Sequence, residues 1–156
     1  MPLALPSIRL ALLSAFTVFL IGGCSTTDPF GATVEVSLDV RQPAALPSTL
    51  RIVVGTSNIS LHADATSSAA RTMMHVSGYG EQPVQVTLLG SQSEILATVS
   101  SSLQLQAGYQ YGLGGMVSRV RPIGLCVSSI AALPLRNSPS DTLFVLYSAL
   151  PKGAVC

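Results

Sequence analysis

The sequence predicts an all-β protein: a single antiparallel Greek-key β-sandwich that follows an N-terminal helical signal peptide. Apolar and polar residues alternate strictly in several segments, as in TVEVSLDV at residues 33–40, and this period is typical of a strand with one face toward a core. Clusters of Gly, Pro, Ser and Asn separate these segments at roughly 8–12-residue spacing, which favours a sandwich. No segment after the N-terminal region shows a clean helical period.

The alternation defines the predicted strands in chain order. They comprise residues 33–40, 50–55, 59–64, 71–80, 84–90, 94–99 with 103–107 as one or two strands, 111–120 and 141–150. Residues 41–48 are expected to connect two strands, 81–83 to form a turn, and 122–139 to be irregular. The last strand is apolar on both faces, which indicates a central strand or a covered edge.

The N-terminal region has the layout of a secretory signal peptide. Arg9 precedes an uncharged apolar run at residues 10–23, which matches a basic region followed by an apolar region. The run is shorter than the about 20 apolar residues of a transmembrane helix. Its end, Leu20-Ile21-Gly22-Gly23-Cys24, resembles the lipobox of bacterial lipoproteins.

This resemblance implies cleavage between Gly23 and Cys24, a diacylglyceryl thioether on the Cys24 sulfur, and acylation of the new amino terminus. Two or more acyl chains anchor a protein stably to a membrane. In the family's sorting pattern, Ser25 in place of Asp favours the outer membrane of a Gram-negative cell and leaves the membrane face open. The alternative is a plain signal peptide with an incidental cysteine.

Three parts of the chain follow from this assignment. Residues 1–23 are the signal peptide, residues 24–31 are the lipidated cysteine with a short tether, and residues 32–156 are the sandwich domain. The two cysteines of that domain, Cys126 and Cys156, are an even pair in an oxidising compartment and are predicted to form a disulfide. A free-thiol or metal role is the alternative, but the pair lacks ligand spacing and has no histidine nearby in sequence.

The segment LQAGYQY at residues 105–111 resembles the L-x-x-G-x-x-Y tyrosine corner of Greek-key immunoglobulin-like sandwiches. The resemblance implies that the Tyr111 hydroxyl binds backbone upstream, that Gly108 permits the tight turn and that Leu105 fills the core. A similar Gly-x-Tyr feature opens a strand in transthyretin-like domains, so both sandwich types remain open. The alternative is a tyrosine that only packs at a strand start.

The composition argues against several functions. The formal net charge is +1, so the chain lacks the basic patch that nucleic-acid binding needs. The absence of tryptophan disfavours a carbohydrate platform. There is no G-x-S-x-G motif and the acidic residues are scattered singly, so we predict neither catalytic residues nor a cofactor. The pair Gly114-Gly115 lacks the lysine of a phosphate loop and is interpreted as a bulge or kink in a strand.

A metal site has few candidate ligands. Zinc binding would have to use His62, Asp64 on the same predicted strand, and His75 on the neighbouring strand. Two solvent-facing strand histidines are the simpler interpretation, so we predict no metal site.

Apolar residues on both faces of several predicted strands leave two interpretations, a docking surface or internal cover by loops such as 122–139. These residues are Val53, Met73, Leu89, Leu96 and Val145. The sequence therefore predicts a non-catalytic cell-envelope lipoprotein that is anchored to the membrane by lipid on Cys24 and binds another envelope protein. The alternative is a small-ligand or metal-binding carrier in the periplasm.

Overall fold

The computed structural model describes residues 31–124 and 126–156, which form nine β-strands. The strands are β1 (Gly31–Val40), β2 (Ser48–Val54), β3 (Ser57–Ala63), β4 (Ala69–Ser77), β5 (Gly80–Leu89), β6 (Ile95–Leu105), β7 (Tyr109–Ser118), β8 (Ser128–Pro134) and β9 (Thr142–Pro151). The predicted signal peptide and Cys24 lie outside the described residues. Within these residues, no helix is long and apolar enough to cross a membrane.

The strands form two sheets that share one core. Sheet A has the order β4-β1-β7-β9-β8, and sheet B has the order β3-β2-β5-β6. The prediction of an all-β chain with two sheets is confirmed. The prediction that all pairing is antiparallel is wrong for one pair, because β1 and β7 run parallel, with Val34 opposite Tyr111. Parallel neighbours need a long connection, and here that connection is built from the strands between them, including all of sheet B.

The alternation of the sequence decides which side of each strand is buried. In β1, Val34 and Val36 have no exposed surface, whereas the intervening Glu35 is exposed. In β2, Leu50 and Ile52 are likewise fully buried. Burial of each such side chain stabilises the fold by roughly 1.5–3 kcal/mol, so the inward faces of these central strands supply much of the driving force for sheet packing.

The predicted turn at residues 81–83 is wrong, because these residues belong to β5. They pair with β6, which continues through the serine run so that Pro83 lies opposite Ser102. The pairing of β5 with β2 stops at Val84, and the Pro83 carbonyl accepts the Gly55 N–H at 2.9 Å. Proline is tolerated here because it lies just beyond the end of the β2 ladder, where no N–H is needed.

The prediction of an irregular segment at residues 122–139 is also wrong in part, because the segment contains β8. This strand pairs with β9 and shifts register between Ser129 and Ala131. The sequence of β8 does not alternate between apolar and polar residues. The register shift interrupts the strand, and β8 lies at the edge of sheet A. β9 therefore lies between β7 and β8, which explains why it is apolar on both faces.

The pair Gly114-Gly115 does not form the predicted bulge, because β7 keeps a continuous register with both β1 and β9. Gly115 faces the core, where a Cβ atom would lie 2.9 Å from both methyl carbons of Leu50. Gly114 faces outward beneath the Ser37 side chain. Glycine in a strand often marks such a close approach, and here it lets Leu50 pack directly against the β7 backbone.

Candidate functional site

A groove of about 770 Å³ lies on the outer face of sheet A, next to Gly31. We call it the β7 groove, because the start of β7 forms its floor. Strands β1, β4 and β9 supply its walls. Residues that line it include Thr33, Met73, His75, Tyr109, Gly112 and Leu150.

The groove exists because β7 presents glycine at an outward position in the groove floor. Gly112 has no side chain to fill the space between the outward residues of β1 and β9. A Cβ atom on Gly112 would meet the Ser148 hydroxyl at 2.6 Å. The result is a depression whose walls combine apolar and polar groups.

The apolar part of the groove is accessible. Met73 is 58% exposed and Tyr109 is 37% exposed. The nearest ion pair, Arg71 with Glu35 at 3.4 Å, has both side chains more than half exposed, so it contributes at most about 1 kcal/mol. The β7 groove is therefore an accessible depression with both apolar and polar walls.

The groove does not bring the Ser148 hydroxyl to the His75 imidazole. Ser148 lies on β9 and His75 lies on β4, and β7 and β1 separate these two strands. At about 4.8 Å per strand, their backbones are roughly 14 Å apart. A hydrogen bond between the Ser148 hydroxyl and the His75 imidazole is excluded at this distance.

The structure separates the candidate metal ligands. His62 lies on β3 in sheet B, where its Nδ1 is 3.1 Å from the Thr49 Oγ1. His75 lies on β4 in sheet A. Each points away from the core, so the two imidazoles face opposite sides of the sandwich. Residues 31–124 and 126–156 contain no cluster of three potential metal ligands.

Asp64 has a local structural role. Its Oδ1 accepts hydrogen bonds from the Thr66 hydroxyl at 2.6 Å and from the N–H groups of Thr66 and Ser67 at 2.8 and 2.9 Å. The Thr66 hydroxyl, followed by the two N–H groups, holds the pKa of the Asp64 carboxyl below its usual value. Asp64 thus closes the turn between β3 and β4.

Tyr111 makes the contact that the tyrosine-corner resemblance implies. Its hydroxyl accepts the Gln106 N–H at 2.6 Å and donates to the Gln106 carbonyl at 3.1 Å. Gly108 has φ +84°, a left-handed conformation that favours glycine. Leu105 is 1% exposed. The turn between β6 and β7 is therefore bonded to a buried side chain of sheet A.

A second tyrosine strengthens the same link between the sheets. Tyr147 on β9 stacks on Tyr111 with ring centroids 6.2 Å apart, and its hydroxyl donates to the Gln104 carbonyl at 3.4 Å. Burial, with a smaller contribution from Tyr111, raises the pKa of Tyr147 to about 12. Tyr147 is therefore a neutral hydrogen-bonding group, and together with Tyr111 it holds the end of β6 against sheet A.

Cys126 and Cys156 lie at disulfide distance, with their Cα atoms 5.8 Å apart. This spacing is within the usual range for a disulfide. The pair joins the segment before β8 to the segment after β9.

Asp141 is an important residue that the sequence analysis missed. It has no exposed surface, and it accepts hydrogen bonds at 2.8 Å from the Arg119 Nε and from the Ser138 hydroxyl. The Arg119 guanidinium holds the pKa of the Asp141 carboxyl below its usual value, although burial opposes this effect. This carboxylate ties the turn between β8 and β9 to the end of β7. A single aspartate before an apolar strand was the only sequence signal.

Two of the five apolar residues proposed for docking belong to the interior. Val145 is fully buried and Leu96 is 2% exposed. The segment after β8 covers Leu96, since the Arg136 N–H donates to the Leu96 carbonyl at 3.0 Å. Met73 is the accessible member of the set, and it lies in the β7 groove.

No protein-family model, curated protein or solved structure matches the chain. The class that the fold defines is therefore an all-β protein with two packed sheets, and its function has to be inferred from its own residues.

Proposed function

We propose that this protein is a cell-envelope lipoprotein, held at the outer membrane by lipid on Cys24, whose sandwich is a non-catalytic interaction module. The lipobox-like sequence that ends in Cys24 carries this proposal. Its position supports it, because residues 25–30 alone separate that cysteine from β1. Seven residue steps reach at most about 25 Å. The end of sheet A that contains Gly31 and the β7 groove would therefore be close to the membrane.

We further propose that the sandwich is of the transthyretin-like type. An immunoglobulin constant domain keeps its first, second, fifth and fourth strands together in one sheet. Here β1 and β4 lie in sheet A, whereas β2 and β5 lie in sheet B. This separation supports the transthyretin-like type of the two that the sequence left open.

The β7 groove is the part of the module that we assign to a partner. The partner would be another envelope protein that presents an extended segment with apolar side chains toward Met73 and Tyr109. Accessible apolar surface beside a polar rim is typical of protein interaction sites. The position of the groove near the anchor favours a partner that is itself at the membrane.

Metabolic labelling tests the anchor. In a Gram-negative host that is given radiolabelled palmitate, we expect the full chain to incorporate label and to sediment with the outer membrane. The Cys24→Ala variant should lose the label, whereas the Cys126→Ala variant should keep it. Label that persists in the Cys24→Ala variant, or an unprocessed amino terminus on the parent chain, would refute the lipoprotein assignment.

Photocrosslinking in intact envelopes tests the interaction surface. A photoreactive amino acid at Met73 should give an adduct of discrete mass with an envelope protein. The same group at Val120, which is 74% exposed and follows the opposite end of β7, is the matched control and should give none. Equal labelling from both positions, or none from either, would contradict the assignment of the β7 groove.

A carrier of small ligands is the second candidate, because the groove volume of about 770 Å³ is within the 300–1,000 Å³ of typical ligand pockets. Native mass spectrometry of protein extracted from envelopes separates the two functions. A bound molecule of constant mass that is lost on Met73→Glu substitution would favour the carrier. Unliganded protein together with a Met73 crosslink would favour the interaction module.

A further inference from the structure

Strand β6 has an unusual edge: β8 approaches it and Arg136 bonds its start, but no strand of its sheet pairs with this edge over residues 98–102. It has 11 residues and is the last strand of sheet B, with β5 on one side. Its sequence, ILATVSSSLQL, contains no charged residue and no proline. Proteins normally protect an edge strand by short length, charge, proline or a bulge. The register shift in β6 lies near its first residues and leaves the rest of the edge regular.

The other edge strands carry such protection. β8 has 7 residues, a register shift between Ser129 and Ala131, and Pro134 at its end. β3 also has only 7 residues. β4 carries Arg71, which pairs with Glu35 on the outer face. β6 is therefore the edge most suited to pairing with another strand.

Two hydrogen bonds show which backbone groups of β6 point away from β5. The carbonyl of Leu96 accepts the Arg136 N–H, and the carbonyl of Gln104 accepts the Tyr147 hydroxyl. Because residues two apart in a strand point the same way, the backbone groups of residues 98, 100 and 102 also point outward. Among the hydrogen bonds of residues 31–124 and 126–156, none uses these outward N–H and carbonyl groups.

The sequence of this edge is nearly symmetric about Ser101. Serines flank it on both sides, the next pair outward is Val99 with Leu103, and the pair after that is Thr98 with Gln104. A two-fold axis beside Ser101 would place each member of a pair opposite its counterpart in a second copy. Such an interface is isologous and needs only self-complementarity.

We propose that β6 pairs antiparallel with β6 of a second copy of this chain, with the two-fold axis beside Ser101. Ser100 would then lie opposite Ser102 of the other copy, and the two residues would exchange both backbone hydrogen bonds. Val99 would pack beside Leu103 of the other copy on the inner face, as favourable cross-strand pairs do. The two four-stranded sheets would become one continuous sheet. This proposal does not depend on lipid at Cys24.

Cysteine crosslinking in the full chain is the first test. In the proposed register, residue 101 lies opposite itself at a non-hydrogen-bonded position, where Cα atoms are about 4.5 Å apart, within disulfide range. The Ser101→Cys variant should therefore form a covalent dimer under oxidation. Ser60→Cys on the β3 edge of the same sheet, also exposed, and the parent chain with its native cysteines are the controls and should remain monomeric on a non-reducing gel.

Charge substitution is the second test, read as the mass of the full chain in detergent by light scattering. The parent should have about twice the protomer mass. The double variant Ser100→Lys with Ser102→Lys places like charges opposite each other and should be monomeric. The double variant Ser100→Lys with Ser102→Glu places opposite charges across the axis and should dimerise again.

The two tests together decide the proposal. Selective Ser101→Cys crosslinking with loss and recovery of the dimer in the charge variants would support it. A chain that is monomeric at all concentrations, a dimer that survives the two lysines, or a Ser101→Cys adduct with a different protein and none with itself would overturn it.

Discussion

Strands β8 and β6 end their sheets on the same side of the sandwich, but they are held in different ways. Before β8, the Cys126–Cys156 pair joins the chain to the segment after β9. After β8, the buried Asp141 carboxylate ties the following turn to Arg119. β6 has neither restraint. Its ends are held by hydrogen bonds from Arg136 and from the tyrosines of sheet A.

The comparison shows that the covalent and ionic restraints lie beside β8, the edge strand that packs less well. β8 is short and its side chains are only partly buried, so hydrophobic packing alone holds it weakly. β6 buries Leu103 and Leu105 and pairs with β5 along nearly its whole length. A strand that buries little apolar surface needs a covalent or ionic restraint, whereas a strand that is well packed can leave one edge unpaired.

The largest expected effect comes from removing the Cys126–Cys156 pair beside β8. The double variant Cys126→Ala with Cys156→Ala should lose roughly 3–4 kcal/mol of unfolding free energy on the chain-entropy model. Amide hydrogen exchange should accelerate most in β8 and in the residues after β9. Unchanged denaturant midpoints for the parent with and without reductant would show that the pair contributes nothing to stability.

A substitution in β7, the central strand of sheet A, should instead destabilise the strands on both sides of it, because β7 pairs with both β1 and β9. Gly115→Ala places a Cβ atom against the buried Leu50 side chain and should cost about 1–3 kcal/mol through overpacking. Gly112→Ala is the matched control, because its new Cβ meets only the Ser148 hydroxyl, which can rotate toward solvent; its effect should be within about 0.5 kcal/mol. Equal destabilisation by both substitutions in urea unfolding would contradict the assignment of their faces.

Two tyrosine hydroxyls link the end of β6 to sheet A, and the Tyr111 hydroxyl makes the shorter hydrogen bonds. Tyr111→Phe removes the partner of the Gln106 N–H and should cost about 1–2 kcal/mol, within the range for a buried donor left unpaired. Exchange should accelerate around residues 104–108 and not in β8. Tyr109→Phe, at a 37% exposed position, is the control, and a loss of stability as large as that of Tyr111→Phe would argue against a specific role for the corner.

The smallest effect concerns pH and the turn after β8. The pKa of Asp141 is lowered in the folded chain, mainly by Arg119, so the unfolded state binds its proton more readily. The stabilisation from Asp141 is complete above its ordinary pKa of about 3.9 and is lost as pH falls below that value through the lowered pKa.

Urea unfolding at a series of pH values would measure this contribution. We expect Asp141→Asn to be less stable at neutral pH and to show a shallower decline in acid than the parent. Asp64→Asn is the control, since the Asp64 pKa is also lowered but its contacts lie in the turn between β3 and β4. After correction for the intrinsic pH dependence of amide exchange, protection of the turn after β8 should fall with pH in the Asp64→Asn variant and change less in the Asp141→Asn variant.

Much of the fold could be predicted because its signals are local. The period of β1 and β2 assigned Val34 and Leu50 to the core without any knowledge of their partners. The tyrosine-corner resemblance likewise named Leu105, which is buried, Gly108, which has a positive φ, and Tyr111, whose hydroxyl bonds the Gln106 backbone. Each of these signals lies within a few consecutive residues, and the steric preferences of those residues determine the local backbone geometry.

The rest could not be predicted because it depends on residues that are distant in sequence. Strand β8 is defined by its pairing with β9 and not by its own pattern, which a register shift interrupts. The sequence shows that residue 115 is a glycine. Only the packing of Leu50 from sheet B against it shows why a side chain would not fit there. Asp141 was overlooked for the same reason, since Arg119 is 22 residues away.

The sequence by itself determined an alternating chain with a lipobox-like start, two paired cysteines and a tyrosine at a turn. Only the tertiary structure decided which strands became neighbours, that Gly112 formed the floor of the β7 groove and which edge remained open. The physical reason is that side-chain alternation is fixed by the geometry of a single strand, whereas strand order and edge exposure are fixed by packing between segments that meet only after the chain has folded.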